Sequence, residues 1–136
     1  MYRRILLAID KDDSYRQALA EARYFAASSG GILGIIHVHH DANPDTRDAQ
    51  AILQAARQAV GEGVVVETHL LESAAVYGVN GVAQAIACTA REWEADLLVL
   101  GSSGSRGLKR FMDDSVAGQV VNMIDISIML VRPQPK

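Results

Sequence analysis

The feature that most constrains this chain is its alternation of short apolar runs with longer stretches of helical spacing, four times over, closed by a fifth apolar run. Ile5 to Ile9 is apolar throughout, without period-two alternation, as expected of a strand covered on both faces. Asp12, Asp13 and Ser14 then offer helix caps, and Ser14-Tyr15-Arg16-Gln17 has the spacing of a capping box. Tyr15, Ala18, Leu19, Ala22, Phe25 and Ala26 recur at three- and four-residue steps, giving a helix one apolar face before Ser28-Ser29-Gly30-Gly31 closes it. Ile32 to Val38 reads as a second strand. Asp45 or Thr46 can cap a second helix with Ala49, Ile52, Leu53, Ala56 and Val60 on one face, ended by Gly61 and Gly63. Val64 to Leu71 is rich in β-branched residues and reads as a third strand. A connection from Glu72 to Gly81 leads to a third helix with Val82, Ala83, Ile86, Ala90 and Trp93 inward. Leu97 to Leu100 is a fourth strand. A glycine- and charge-rich loop follows it, then a short helix from Ser115 with Val116, Val120, Met123 and Ile124 on one side. Ile126 to Val131 is the last strand, stopped by Pro133 and Pro135.

Helices between consecutive strands demand parallel pairing with right-handed crossovers, hence an α/β three-layer sandwich. The 136 residues suffice for one domain spanning 1–136, and no linker or tandem repeat divides them. Thirteen Lys and Arg against sixteen Asp and Glu leave a formal charge of -3, so no basic surplus exists for a nucleic acid backbone or an acidic membrane. The opening apolar run stops at Asp10, too short for a secretory core or a membrane span, and the single cysteine, Cys88, permits no internal disulfide. A reducing, cytoplasmic location is the expectation.

In such sheets, ligands sit beyond the carboxyl ends of the strands, where strand order reverses. The loop after the fourth strand runs from Gly101 to Val116. Its glycines Gly101, Gly104 and Gly107 allow the backbone close to a ligand and can turn amides inward as an anion nest. Ser115 and Val116 offer amides at the start of a helix, where the dipole also favours negative charge, and Arg106, Lys109 and Arg110 add positive charge. The arrangement suits phosphates; a surface loop whose glycines only turn the chain has the same spacing.

Gly101-x-x-Gly104, a nine-residue spacer, and then a residue followed by Ser115 resembles the signature of the nucleotide-binding universal stress proteins. Ile5-Leu6-Leu7-Ala8-Ile9-Asp10, His37-Val38, Ala95-Asp96-Leu97-Leu98-Val99-Leu100-Gly101 and Ile128-Met129-Leu130-Val131-Arg132 match that family in order, across the whole chain. The resemblance implies a five-stranded parallel sheet of order 3-2-1-4-5, Rossmann-like, with an adenine nucleotide such as ATP between the first and fourth strands. By similarity, Asp10 approaches adenine or ribose, the backbone near Val38 and His39 holds adenine, and Leu100 lines the base. Gly101, Gly104, Ser115 and Val116 would hold phosphates. It also implies a homodimer through the apolar last strand, Ser127 to Arg132, an edge that needs cover.

One departure stands out. The family's third glycine falls where this chain has Asp114, so a carboxylate would meet phosphate. Three arrangements remain open at this point. Nucleotide binds despite the charge; Mg²⁺ bridges Asp113 or Asp114 to phosphate; or the Asp114 carboxylate fills the anion site and the protein is a dimeric interaction module with a non-functional pocket. No nucleophile is paired with a general base, so catalysis is expected to be absent or limited to slow ATP hydrolysis. His37, His39, His40 and His69 lack the cysteines or fixed carboxylates of a metal site, and His37 matches a family position of ordinary packing. Cys88 reads as a small packed side chain among alanines. A response-regulator receiver would need Asp where Leu71-Glu72 ends the third strand. A flavodoxin would need more hydroxyls than Lys11-Asp12-Asp13-Ser14 supplies.

Overall fold

The computed structural model describes residues 2–10, 15–40, 42–101 and 116–132, the Ala75 side chain excepted. Five strands form one sheet, β1 (Arg4–Ile9), β2 (Ile32–His39), β3 (Val65–Glu72), β4 (Leu97–Gly101) and β5 (Ser127–Val131). They are linked by helices α1 (Arg16–Ser29), α2 (Arg47–Val60), α3 (Gly78–Glu92) and the five-residue α4 (Val116–Val120). Every strand pair is parallel and the order is β3-β2-β1-β4-β5, as the resemblance implied.

Alternate residues of the central strands feed two separate cores. Ile5, Leu7, Ile9, Leu33 and Ile35 meet Ala18, Leu19 and Ala22 of α1 and Leu53 and Ala56 of α2. Leu6, Ile36, Val38, Leu98 and Leu100 meet Val82, Ala83 and Ile86 of α3 and Ala117 and Val120 of α4. This double burial explains the uninterrupted apolar runs. β3 and β5 are the sheet's edges, and their residues are mostly half-buried.

The amino end of the sheet is tied by side chains to backbone. Both Asp96 carboxylate oxygens accept from the Arg3 amide, at 3.2 and 3.0 Å, and one also accepts from the Arg4 amide at 3.0 Å, joining the start of β1 to that of β4. Arg4 donates through Nε to the Trp93 carbonyl at 2.8 Å and lays its guanidinium 4.1 Å from the Trp93 ring centroid. Arg23 closes the end of α2, donating to the carbonyls of Val60 at 2.7 Å and Glu62 at 2.8 Å. Gly31 is required by close approach, because a Cβ there would lie 2.3 Å from the Arg3 carbonyl oxygen.

The structure departs from the sequence reading at several points. The connection expected to reach Gly81 ends early: a 3-10 turn over Ala75–Tyr77 runs straight into α3 at Gly78, whose φ of 53° a glycine accepts readily. The last helix is shorter than its apolar spacing implied, giving way after Val120 to a turn through Met123. Thr46 is the α2 N-cap, but its hydroxyl accepts from the Gln50 side chain, while an Asp45 carboxylate oxygen accepts the Arg47 amide. The caps expected of Asp12, Asp13 and Ser14 lie outside the described residues.

Candidate functional site: the crevice above β1 and β4

The sheet's order reverses between β1 and β4. From β1 the sheet continues through β2 to β3, and from β4 to β5 on the other side. The helix leaving β1 packs on one face, whereas the helix entering β4 and the one preceding β5 pack on the other. The chain therefore diverges above this pair, the place where sheets of this kind leave a crevice at the carboxyl ends. The register Ala8↔Leu100 puts Asp10, one residue past β1, near the end of β4.

Asp10 is exposed, Leu100 is 4% exposed, and Gly101 is half-buried. β2 continues two residues beyond the Ile9↔His37 pair and so overtops β1 on its other side. Backbone polar groups on a strand alternate sides. The Ile32 amide donates to the Arg3 carbonyl at 2.8 Å, facing β1, whereas the His39 carbonyl accepts the Ser73 amide at 3.0 Å, facing β3. Val38 shares the parity of Ile32, so its carbonyl lies on the β1 side, just above the last β1 residue. Its side chain is 5% exposed in the α3 core. His39 is occupied otherwise, because its Nε2 donates to the Asn43 carbonyl at 2.6 Å.

That bond is followed by others among the described residues before α2. Asn43 Oδ1 accepts the Asp45 amide at 3.0 Å, and the Asp45 carboxylate takes the Arg47 side chain at 2.6 Å. The Arg47 guanidinium, with its own amide, holds the Asp45 carboxyl below the usual carboxylate range. The same contact raises the Arg47 pKa.

On the β4 side, Val116 opens α4 half-buried and Ala117 is buried. Gly104, Arg106, Gly107, Asp114 and Ser115, together with Lys109, Arg110 and Asp113, lie outside the described residues. The structure thus brings Asp10, Val38, Leu100 and Gly101 to one end of three neighbouring strands. Among the described residues, no three His, Cys, Asp or Glu side chains are grouped to hold a metal. His37 and His39 each have a ring nitrogen bonded to a backbone carbonyl.

Cys88 corrects the sequence reading. It is exposed rather than packed, and its thiol donates to Glu92 Oε1 at 3.3 Å, a contact that pushes its pKa up. The reading also missed the bond from His37 to Ile9. A histidine flanked by Ile36 and Val38 within the strand was its only signal. A shallow cleft of about 280 Å³, lined by Ala90, Arg91, Met123 and Ile126 among others, lies at the sheet's opposite end. The Arg91 side chain there donates to the Met123 carbonyl at 3.0 Å.

Sheet order, helix distribution and this crevice define a doubly wound α/β domain of the kind that takes ligands at a topological switch point. Residues 1–132 match the model of the universal stress protein family, and the chain belongs to that family. It is 30% identical to the universal stress protein YxiE of Bacillus subtilis (strain 168), with 97% of this chain and 100% of that protein covered. A universal stress protein solved in complex with cAMP superposes with a TM-score of 0.76 at 25% identity, covering 98% of each chain. Another, from Archaeoglobus fulgidus in complex with dAMP, has a TM-score of 0.69 at 21% identity over 95% of this chain and 97% of that one, and shares the fold. No described helix is long and apolar enough to cross a membrane.

Proposed function

We propose that this chain binds ATP or a related adenine nucleotide in the crevice above β1 and β4, and serves as a dimeric, cytoplasmic stress-response sensor. The observation that carries the reading is the convergence of three unlike groups on one crevice. Leu100 provides a buried apolar floor, the Val38 carbonyl an acceptor on the β1 side, and Asp10 an exposed carboxylate. These fit an adenosine: a flat base on the floor, an exocyclic amino group donating to a carbonyl, ribose hydroxyls donating to a carboxylate. The solved relative holding cAMP supports the same class of ligand. Gly101 and Val116 flank the crevice where phosphates would extend, with Gly104, Arg106, Gly107 and Ser115 assigned to them by family resemblance alone. No chemical step is assigned to these residues; the reading is of binding.

Asp114 supports a second reading, an interaction module whose pocket no longer admits phosphate. A carboxylate about 5 Å from a phosphate charge, at an effective dielectric near 20, costs about 3 kcal/mol per pair. That is roughly a hundredfold in affinity. The penalty grows with phosphate charge, so it falls harder on ATP than on cAMP. Calorimetric titration with both ligands tests this. The wild-type chain is expected to bind each, and Asp114→Gly to strengthen ATP more than cAMP. Equal gains, or none, refute the repulsion. Absence of binding by the wild-type chain and by Asp114→Gly refutes the sensor. For the dimer, the edge strand β5 offers half-buried Ile128, Met129 and Leu130. Sedimentation at a mass near the 14.6 kDa of one chain, at micromolar concentration, would overturn it.

A further inference from the structure

We propose that His37 is a positioning residue that sets the direction in which β1 delivers Asp10 to the crevice; its consequence for ligand binding rests on the nucleotide reading above. Among the described residues, His37 is the one buried polar side chain, 3% exposed. It occupies a position on β2 whose alternate neighbours, Leu33 and Ile35, belong to the core beneath α1 and α2. Leucine or isoleucine would fill such a position without any polar group to satisfy. Burying an imidazole there is unfavourable unless it is bonded.

The bond it makes is specific. His37 Nδ1 lies 2.9 Å from the Ile9 carbonyl oxygen, and since a carbonyl only accepts, the ring carries its proton on Nδ1. Ile9 is also the backbone register partner of His37 and the last residue of β1. The Ile9 carbonyl and the Asp10 amide share one planar peptide unit. The β1–β2 register already brings the Val38 amide to that oxygen, and the imidazole adds a second donor on it, so the two together fix the plane from which the Asp10 Cα departs. The last ladder pairs of β1 are Ile9↔His37 on β2 and Ala8↔Leu100 on β4. The imidazole is thus a second clamp on the last paired peptide of β1, next to the candidate ligand carboxylate. Ordinary packing, the role the family resemblance implied, does not account for a bonded nitrogen at this place.

Two substitutions separate a clamp from a filler. His37→Leu keeps apolar packing and removes the donor. His37→Asn keeps a donor where Nδ1 stood while leaving a smaller, polar side chain in the core. Amide exchange at Ile9 and Asp10, followed by NMR, is expected to quicken roughly fivefold to tenfold in His37→Leu and to stay near wild type in His37→Asn. Urea midpoints should fall in the opposite order, with His37→Asn the less stable. ATP titrated into the same proteins should bind roughly fivefold more weakly to His37→Leu, with affinity recovered in His37→Asn. Local exchange that follows the urea midpoint across both variants would show a packing role and overturn the proposal, as would ATP affinity indifferent to the Leu substitution. If the wild-type protein binds no adenine nucleotide, the functional reading fails by itself, and the exchange ordering still decides whether His37 clamps the end of β1.

Discussion

Replacing Glu94 by glycine should stabilise this protein, and the reason lies in how α3 ends. Glu94 has φ of 58°, the positive-φ non-glycine residue of the described chain. The Ala95 amide donates to the Ala90 carbonyl at 3.0 Å and the Glu94 amide to the Arg91 carbonyl at 3.1 Å. These are the two bonds of a Schellman motif, with Glu94 at the left-handed position that glycine normally fills. Ala90 and Ala95 are both buried in the same core, which is the apolar contact that accompanies the motif. The Glu94 side chain is exposed, so removing it sacrifices little packing. A side chain in the left-handed region costs about 1–2 kcal/mol. Glycine gives back about 0.5–1 kcal/mol of that through the greater freedom of its unfolded chain. The net gain is about 0.5–1 kcal/mol, which for a chain of this size raises Tm by about 2–4 °C. Thermal unfolding by circular dichroism measures it, with Glu94→Ala as the control, because alanine retains the offending Cβ. Should Glu94→Gly be no more stable than Glu94→Ala, backbone strain at this cap is not what the bonds and φ imply.

Two further outcomes follow from contacts away from the crevice. Asp96→Ala should lower stability by about 1–2 kcal/mol in urea titrations, because the Arg3 and Arg4 amides lose their charged acceptor at the start of β1. Glu92→Gln should speed alkylation of Cys88 by iodoacetamide a few-fold near pH 8. The carboxylate accepts the thiol proton and repels the thiolate, so removing its charge enlarges the reactive thiolate fraction; an unchanged rate would dismiss the contact.

The layered architecture was legible because every central strand is buried on both faces, which forces apolar runs such as Ile5 to Ile9 that no surface element would carry. The edge strands were less transparent. Val64 to Leu71 has the composition of a strand, yet Glu67 and His69 occupy the α3 side of β3, and the Trp93 indole reaches Glu67 only over a long 3.5 Å contact. Periodicity placed Trp93 inward, but it gave no sign of the Arg4 guanidinium stacked on the ring. That contact joins residues 89 positions apart and depends on the sheet being assembled. Cys88 misled because its alanine neighbours Ala87 and Ala90 are buried, while one step round the helix is enough to reach solvent. In the crevice, sequence pointed to a stretch of backbone near Val38 and His39, and only the pleat distinguishes the two. The His39 carbonyl is committed to Ser73, and that of Val38 faces the switch point.

That distinction bears on how the crevice tolerates sequence change. An acceptor supplied by a main-chain carbonyl is present whatever side chain stands at position 38, provided the strand keeps its register. The floor asks only for an apolar residue at position 100. The base-binding half of the proposed site is therefore set by fold, which survives at TM-scores of 0.69 and 0.76 in chains only 21% and 25% identical to this one. The phosphate half of the proposed site would differ in kind, since the charge at position 114 belongs to a side chain. Selectivity within the family should accordingly vary on the phosphate side while adenine recognition is retained. In this chain, the nucleotide least burdened by negative charge would lose least to Asp114, and a cyclic monophosphate meets that condition better than a triphosphate.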